Sequence, residues 1–422
     1  MSRVYSQSFL TIAATLASDD NQGFLGARED HIAREYQLSI NGEVSRFYVR
    51  QKILHDDSDL LDRNPLLTRA WAFQELLVSA RIVCFAQSEI MWHCLQVSNC
   101  ECDQWHRSSP ALLASKLQEQ RKSLPIPSWK SETTRWSAAS LEYRRWYEII
   151  EAYTQLKLTH ASDRLPALAA LSQRFQGSSK SDYAAGLWKG DILRGLLWEV
   201  SWEVPGIGTK PLGYRAPSWS WASVDAKVIY DRAPADSAYA GRNWEQTAKY
   251  DDSVFKISKV SCHPRGLNPY GEVEAGFLSV MGGLATANLE IPEIKSGGDE
   301  TRARYVLWPR GKDKPVYSTR WPPLNHRGCF RPDVPLMPVS YKSDLYPESF
   351  ITAERSDLKP GSARSAFSCQ VFVLSICTGV MLVLAPSQRQ VSSYERLGLI
   401  IMDDDMIRLW YGMGTLTDLR IV

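Results

Sequence analysis

Residues 67–85 read LTRAWAFQELLVSARIVCF, a helical pattern that passes directly into a strand pattern. Asn64 and Pro65 stand just before it and favour a helix start, because Asn caps free amide groups and proline lacks the amide that a first turn leaves unpaired. One face of the predicted helix carries side chains three and four residues apart: Leu67, Trp71, Glu75 and Val78. Residues 81–85 then predict a strand, with 90–92 as its partner.

Glu75 is a carboxylate on this otherwise apolar face, one helical turn beyond Trp71. Burial among apolar and aromatic side chains raises the pKa of a carboxyl group, which prepares it for acid–base or electrostatic work. The alternative is a structural glutamate at the edge of the face, paired with a nearby cation such as Arg81. The residues alone leave both interpretations open.

Upstream of this stretch the sequence predicts a helix and a hairpin. The apolar residues of 4–17 favour a helix. Residues 36–49 alternate around Asn41-Gly42, the dipeptide that supplies the two positive φ angles of a tight type I′ turn. A two-stranded antiparallel ribbon is therefore expected there.

Downstream, the pattern changes once from helical to extended. Residues 110–200 show helical spacing, including a helix that Asp163 would cap and that would run to Phe175. From about residue 215 short apolar runs alternate with turn residues, which predicts an antiparallel β region. Within it, residues 371–384 predict a strand–turn–strand. At roughly 100–200 residues per domain, 422 residues suit two or three domains.

Composition excludes several classes of protein. The formal net charge is +2, with no dense basic block, which argues against an electrostatic nucleic-acid binder. The longest apolar run, 371–384, is shorter than the roughly 20 residues that span a bilayer, so no membrane span is expected. Eight cysteines in 422 residues are too sparse for a disulfide scaffold, and they indicate reduced thiols in the cytosol or nucleus.

Two further clusters have competing interpretations. One interpretation of the group His93, Cys94, Cys100, Cys102 and His106 is a metal site with soft ligands. The spacing of these residues differs from the paired Cys and His spacings of structural zinc sites, so free thiols and ordinary histidines are favoured and no metal is predicted. Trp219 and Trp221 alternate, which would place both indoles on one strand face, as a packing ridge or, less often, as a ligand platform.

Several of these segments resemble the fungal heterokaryon incompatibility (HET) family. Residues 67–81 are similar to its signature R-G-W-T-x-Q-E-x-x-L-S-x-R. Residues 1–14 are similar to its helix–strand M-x-x-V-Y-x-x-A-x-L-T-I-A-A, and residues 23–28 to the G-L…R that follows. Typical extension motifs occur at 163–171, 183–188, 216–225 and 394–398.

The resemblance implies a function and a site. HET domains are regarded as related to TIR domains, whose enzymatic members cleave NAD at the nicotinamide–ribose bond. A Trp and an essential Glu lie four residues apart in the TIR helix, as Trp71 and Glu75 do here. By this resemblance Glu75 is catalytic, Trp71 contacts the nucleotide, and NAD is a substrate rather than a cofactor. The implied role is self/non-self recognition and programmed cell-death signalling in the cytoplasm.

Two departures from the family pattern limit this expectation. Ala70 replaces a glycine, and the opening motifs L-S-Y-x-W-G and W-I-D-x-L-C-I-x-Q do not occur. The expected organisation is therefore the C-terminal part of a TIR-like α/β HET domain (1–90), a mostly helical extension (91–214) and a β-rich domain (215–422). One expectation is an NAD hydrolase that is inactive when this chain is present alone. The alternative is a non-catalytic module that binds protein partners or itself.

Overall fold

The structure is a computed structural model. The residues that it describes are 2–26, 34–40, 43–49, 64–87, 89–101, 138–201, 209–211, 213–230, 255–292, 305–309, 316–318, 329–334, 337–338, 350–351, 354–355, 366–377, 379–401 and 414–422. The chain divides into two compact units. The first contains Met1–His160 and Ala167–Lys180, and the second contains Ala161–Pro166 and Ser181–Val422. The predicted domain boundaries at residues 90 and 214 remain a prediction.

The first unit mixes short strands with helices. Its helices are α1 (Ser2–Gln7), a 3-10 turn (Pro65–Thr68), α2 (Ala70–Val78), α3 (Ala138–Thr154) and α4 (Ala169–Ser179). Its strands are β1 (Thr11–Ala13), β2 (Arg34–Ile40), β3 (Glu43–Val49), β4 (Arg81–Phe85), β5 (Ile90–Cys94) and β6 (Ser98–Cys100).

Four of these strands form a sheet in the order β1-β4-β5-β6. β1 runs parallel to β4, with Ile12 opposite Val83, and the other pairs are antiparallel. Parallel strands require a crossover, and the connection between β1 and β4 contains α2. The side chains that α2 and the sheet bury together are Ala13, Leu76, Ile82, Cys84, Ala86 and Met91. The predicted pairing of 81–85 with 90–92 is confirmed.

The predicted helix over residues 4–17 is wrong beyond Gln7. The chain leaves the helix there, and residues 11–13 hydrogen-bond to β4 instead. The periodicity of one segment carries no information about a partner strand 70 residues away. Pairing with that strand outweighs the weak helix propensity of the segment. The order of a helix followed by a strand agrees with the family pattern that residues 1–14 resemble.

The helix start at Asn64-Pro65 is also tighter than predicted. Pro65–Thr68 is a 3-10 turn, the side chain of Asn64 makes no capping hydrogen bond, and α2 begins only at Ala70. Further along, Pro166 lies in another 3-10 turn, and the predicted helix from Asp163 becomes α4, which begins at Ala169. A proline inside an α-helix clashes with the preceding turn, so the α-helix forms after it.

The predicted ribbon at 36–49 is confirmed. β2 and β3 pair antiparallel from Ile40 opposite Glu43 to Arg34 opposite Val49. Asn41 and Gly42, the two predicted turn residues, lie outside the described residues. Every residue of both strands is exposed, so neither face of this ribbon has a covering layer among the described residues.

The second unit is β-rich. Its described residues contain one short helix, α5 (Ile192–Gly195), and 3-10 turns that include Trp221–Ser223. Its strands are β7 (Tyr183–Ala184), β8 (Leu187–Trp188), β9 (Trp198–Val200), β10 (Val228–Tyr230), β11 (Phe255–Pro264), β12 (Val273–Pro292), β13 (Val306–Pro309), β14 (Val316–Ser318), β15 (Cys329–Pro332), β16 (Met337–Pro338), β17 (Phe350–Ile351), β18 (Glu354–Arg355), β19 (Ala366–Cys377), β20 (Val380–Pro386), β21 (Tyr394–Ile401) and β22 (Thr415–Ile421). The predicted change from helical to β-rich structure in the C-terminal part of the chain is confirmed.

The large sheet of this unit closes on itself. Its pairings run β12-β13-β14-β15-β21-β20-β19 and return to β12, which is long enough to pair with β11 and β22 near its other end. β19 and β20 form the predicted strand–turn–strand, with Gly379 at a positive φ of 84° in the turn. Closure pairs strand edges that an open sheet would expose.

Arg396 of β21 connects this sheet to the segment around β9. Its guanidinium donates two hydrogen bonds to the Asp333 carboxylate, at 2.8 and 3.0 Å, and others to the carbonyls of Leu196 and Trp198. Arg396 is 1% exposed and its guanidinium carbon lies 3.6 Å from the centre of the Trp198 ring. A buried charge with this many partners is compensated.

Among the described residues, no helix combines the length and the apolar composition that crossing a bilayer requires.

Candidate functional site

Glu75 lies on the least buried side of α2. Seven of the nine helix residues are buried, and only Trp71 and Glu75 are partly exposed. The predicted partial burial of Glu75 is confirmed, and the other seven residues of the helix are buried more deeply than Trp71 and Glu75. Their spacing of four residues does put them on one side of the helix.

The Glu75 carboxylate is held by Tyr5 of α1. The two side chains hydrogen-bond, with the phenol as donor. Burial raises the pKa of Glu75 above its ordinary value, and the hydrogen bond from Tyr5 and the charge of Arg69 partly oppose that rise. Burial, together with the hydrogen bond and the negative charge of Glu75, raises the pKa of Tyr5 to about 12. The phenol therefore keeps its proton at physiological pH.

Arg81, the partner that the structural interpretation of Glu75 invoked, is used elsewhere. Its guanidinium lies 5.0 Å from the centre of the Phe9 ring and donates to the Phe9 carbonyl at 3.3 Å. A structural role for Glu75 would therefore depend on its hydrogen bond with Tyr5 rather than on an ion pair with Arg81. The neutral phenol adds no positive charge beside Glu75, and the charge of Arg69 offsets part of the negative charge there.

Two polar contacts fix the buried side of α2. The amide oxygen of Gln74 accepts the Ala170 N–H of α4 at 3.1 Å, and Gln74 is only 2% exposed. At the end of the helix, the Ser79 hydroxyl donates to the Glu75 carbonyl at 2.7 Å and bonds the Thr11 hydroxyl of β1 at 2.8 Å. These bonds limit the rotation of α2 and so orient Trp71 and Glu75.

Sequence reasoning missed both Tyr5 and Gln74. Each lies within a family motif, Tyr5 in the V-Y pair and Gln74 directly before Glu75. A glutamine on a helix position that is otherwise apolar was the available signal for a buried hydrogen bond. No local pattern pairs Tyr5 with a residue 70 positions away.

The cluster of sulfur and imidazole groups is only partly described. The ring nitrogen Nδ1 of His93 lies 3.0 Å from the Ser98 hydroxyl, and the Cys94 sulfur accepts the Val97 N–H at 3.3 Å. Cys102 and His106 lie outside the described residues. Within the part of the chain that the structure describes, no three His, Cys, Asp or Glu side chains are grouped as metal ligands.

Trp219 and Trp221 are both fully buried in the second unit. Trp221 begins a 3-10 turn, so the prediction that both indoles share a strand face is wrong. The Trp221 ring N–H donates to the Gly186 carbonyl at 3.2 Å, and the Trp219 carbonyl accepts the ring N–H of Trp198 at 3.0 Å. These contacts support packing and leave no exposed ring face for a ligand.

The comparison with protein families agrees with the motifs in the first unit. The model of the family described as "Heterokaryon incompatibility protein (HET)" matches residues 1–75, a segment that runs from α1 to Glu75. The predicted resemblance is thus confirmed for this segment. No curated protein and no solved structure matches the chain.

Proposed function

We propose that this chain acts in fungal self/non-self recognition and programmed cell-death signalling, as a cytoplasmic protein of the heterokaryon incompatibility type. The observation that carries the proposal is the family match over residues 1–75. That segment contains Tyr5, Arg69, Trp71 and Glu75, which are the polar and aromatic groups gathered at the exposed side of α2. Protein partners, including a second copy of the chain, belong to this proposal, and nucleic acid does not.

The chemistry proposed for the site is a TIR-like cleavage of NAD. Nicotinamide leaves from a cationic linkage as a neutral base, so the reaction needs stabilisation of the oxocarbenium ion more than acid catalysis. Glu75 is suited to this role because it is partly buried and its hydrogen-bond partner Tyr5 is neutral, so that Arg69 offsets only part of its charge. Trp71 would form a wall of the nucleotide site. NAD would be the substrate, and no cofactor is needed.

The alternative is a non-catalytic protein-interaction module that keeps this fold. Large apolar side chains exposed in the first unit favour it, among them Val4, Phe9, Ile12, Leu25, Tyr36, Leu38 and Phe47. In this case Glu75 would only anchor α1 to α2 through Tyr5.

A cell-death assay separates the two candidates. Because the chain alone lacks the two opening motifs of the family and is expected to be catalytically inactive, it is joined behind a segment of a HET protein that contains them. This chimera and its Glu75→Gln variant are expressed at equal levels in a fungal host, and viability is counted. Catalytic signalling predicts that Glu75→Gln abolishes killing, while a control variant at the exposed Glu148 of α3, Glu148→Gln, kills as the parent does. Killing that survives Glu75→Gln would favour the interaction module, and no killing by any variant would contradict a cell-death role.

A further inference from the structure

A cavity of about 540 Å³ lies in the first unit, at the C-terminal end of α2. The described residues of its wall come from four places in the chain: Ser6 of α1, residues 77–80 at the end of α2, Leu95 of the turn after β5, and Gln173 and Arg174 of α4. Small organic ligands occupy cavities of about 300–1,000 Å³, lined by apolar groups and a few polar ones. The size and the walls therefore suit such a ligand.

Arg174 is the charged group of this cavity. The guanidinium is partly buried, and burial lowers the pKa of Arg174 from its ordinary value, although an arginine stays protonated at neutral pH. Among the described residues it forms neither an ion pair nor a hydrogen bond. Burying a cation without a partner costs free energy, which an anionic ligand would recover.

Two further polar groups of the wall, on Ser6 and Gln173, are exposed to solvent. Neither the Ser6 hydroxyl nor the Gln173 side-chain amide is hydrogen-bonded within the described part of the chain. The Ser79 hydroxyl differs, because it is already bonded to the Glu75 carbonyl and to Thr11. Donors are thus available from both α1 and α4 beside Arg174.

The remaining wall is apolar. The partly exposed Ala80 and Leu95 provide aliphatic surface and no charge, and Leu77 and Val78, which are buried, add little exposed surface. A bare inorganic anion gains nothing from such a surface, whereas an anion with a hydrocarbon body buries that body against it. The ligand class is thereby narrowed to organic anions.

We propose that this cavity binds a small organic anion, whose carboxylate or phosphate group pairs with Arg174 and whose apolar body contacts Ala80 and Leu95. Glu75 is not part of its wall, so the site is separate from the one proposed for NAD. The proposal does not depend on NAD cleavage. An occupant here would touch α1, α2 and α4 together and so stabilise the elements that orient Glu75.

Titration calorimetry on the full chain tests the proposal with four probes. Hexanoate and hexyl phosphate carry the two candidate anionic groups on one hydrocarbon body, hexan-1-ol is the neutral counterpart, and inorganic phosphate lacks the body. At least one organic anion should bind saturably, and the alcohol and inorganic phosphate should bind far more weakly. Which anion binds more tightly identifies the preferred group.

Substitutions then locate the site. Arg174→Gln should weaken the preferred anion by about 10- to 100-fold, the effect of losing a charge-assisted hydrogen bond, and Arg174→Lys should weaken it less. Arg144→Gln, on the exposed surface of α3, is the matched control and should bind as the parent does. Leu95→Glu places a negative charge in another wall and should abolish binding independently, with Leu95→Gln as its control.

Three results would overturn the proposal. They are equal binding of hexan-1-ol and hexanoate, unchanged anion affinity in both Arg174→Gln and Leu95→Glu, and no saturable binding of either organic anion up to tens of millimolar. Binding of NAD at the Glu75 site would not change the measured affinities for these probes, because that site uses different side chains.

Discussion

The hydrogen bond between Tyr5 and Glu75 sets the charge state of the candidate site. Because the phenol stabilises the charged carboxylate, Tyr5→Phe should raise the pKa of Glu75 further. A carboxyl group whose pKa is raised by folding stabilises the fold below its unfolded pKa, and that contribution is lost as pH rises through the folded pKa. Carboxyl-carbon NMR titration of the variant checks the shift. Tyr48→Phe, which removes an exposed phenol bonded to Glu35, is the control and should leave the pKa of Glu75 unchanged.

Arg396 provides the second prediction at the scale of single residues. Arg396→Met leaves the Asp333 carboxylate buried without its partner, and it should lower the free energy of unfolding by about 3–5 kcal/mol. Arg265→Met, which removes an exposed pair with Glu272, should cost less than about 1 kcal/mol. Urea denaturation of both variants compares them. Equal losses would contradict the role assigned to Arg396.

Among the elements, the turn between β7 and β8 has no room for an added side chain. Gly186 has a φ of +91°, and a Cβ there would lie 2.5 Å from the Trp221 ring nitrogen, which is fully buried. Gly186→Ala should therefore destabilise the second unit by about 2–5 kcal/mol. Gly177 in α4 has open space around it, and Gly177→Ala should stabilise by about 0.5–1 kcal/mol. Thermal unfolding measured by circular dichroism distinguishes the two.

At the scale of the whole molecule, the ribbon of β2 and β3 predicts self-association. Tyr36, Leu38, Ile40 and Phe47 lie on one face of it and are 43–59% exposed. An isolated two-stranded ribbon is marginally stable in water, and an apolar face of this kind favours association. Light scattering at tens of micromolar should find species larger than a monomer. Leu38→Lys should reduce them, and Ser39→Lys, on the opposite face, should not; a monodisperse parent would contradict the prediction.

The sequence predicted those features of the molecule that depend on near neighbours. The Asn41-Gly42 hairpin, the strands at 81–85 and 90–92, and the strand–turn–strand at 371–384 follow from turn chemistry and alternation. The closed sheet joins residues as distant as Leu289 and Cys369, which are 80 positions apart, and no local pattern encodes those pairs. Packing around the site was unpredictable for the same reason, since Tyr5 and Ala170 reach α2 from distant segments.

Release of nicotinamide is the measurement that tests the central proposal, in which Glu75 serves as the catalytic carboxylate of a HET-type NAD hydrolase. The 422-residue chain is compared with a chimera in which the two absent family motifs, taken from a HET protein, precede residue 1. We expect no turnover by the chain alone, turnover by the chimera, and a loss of about 10²–10³ in rate in its Glu75→Gln variant. A folded Glu75→Gln chimera that released nicotinamide as fast as its parent would contradict the account.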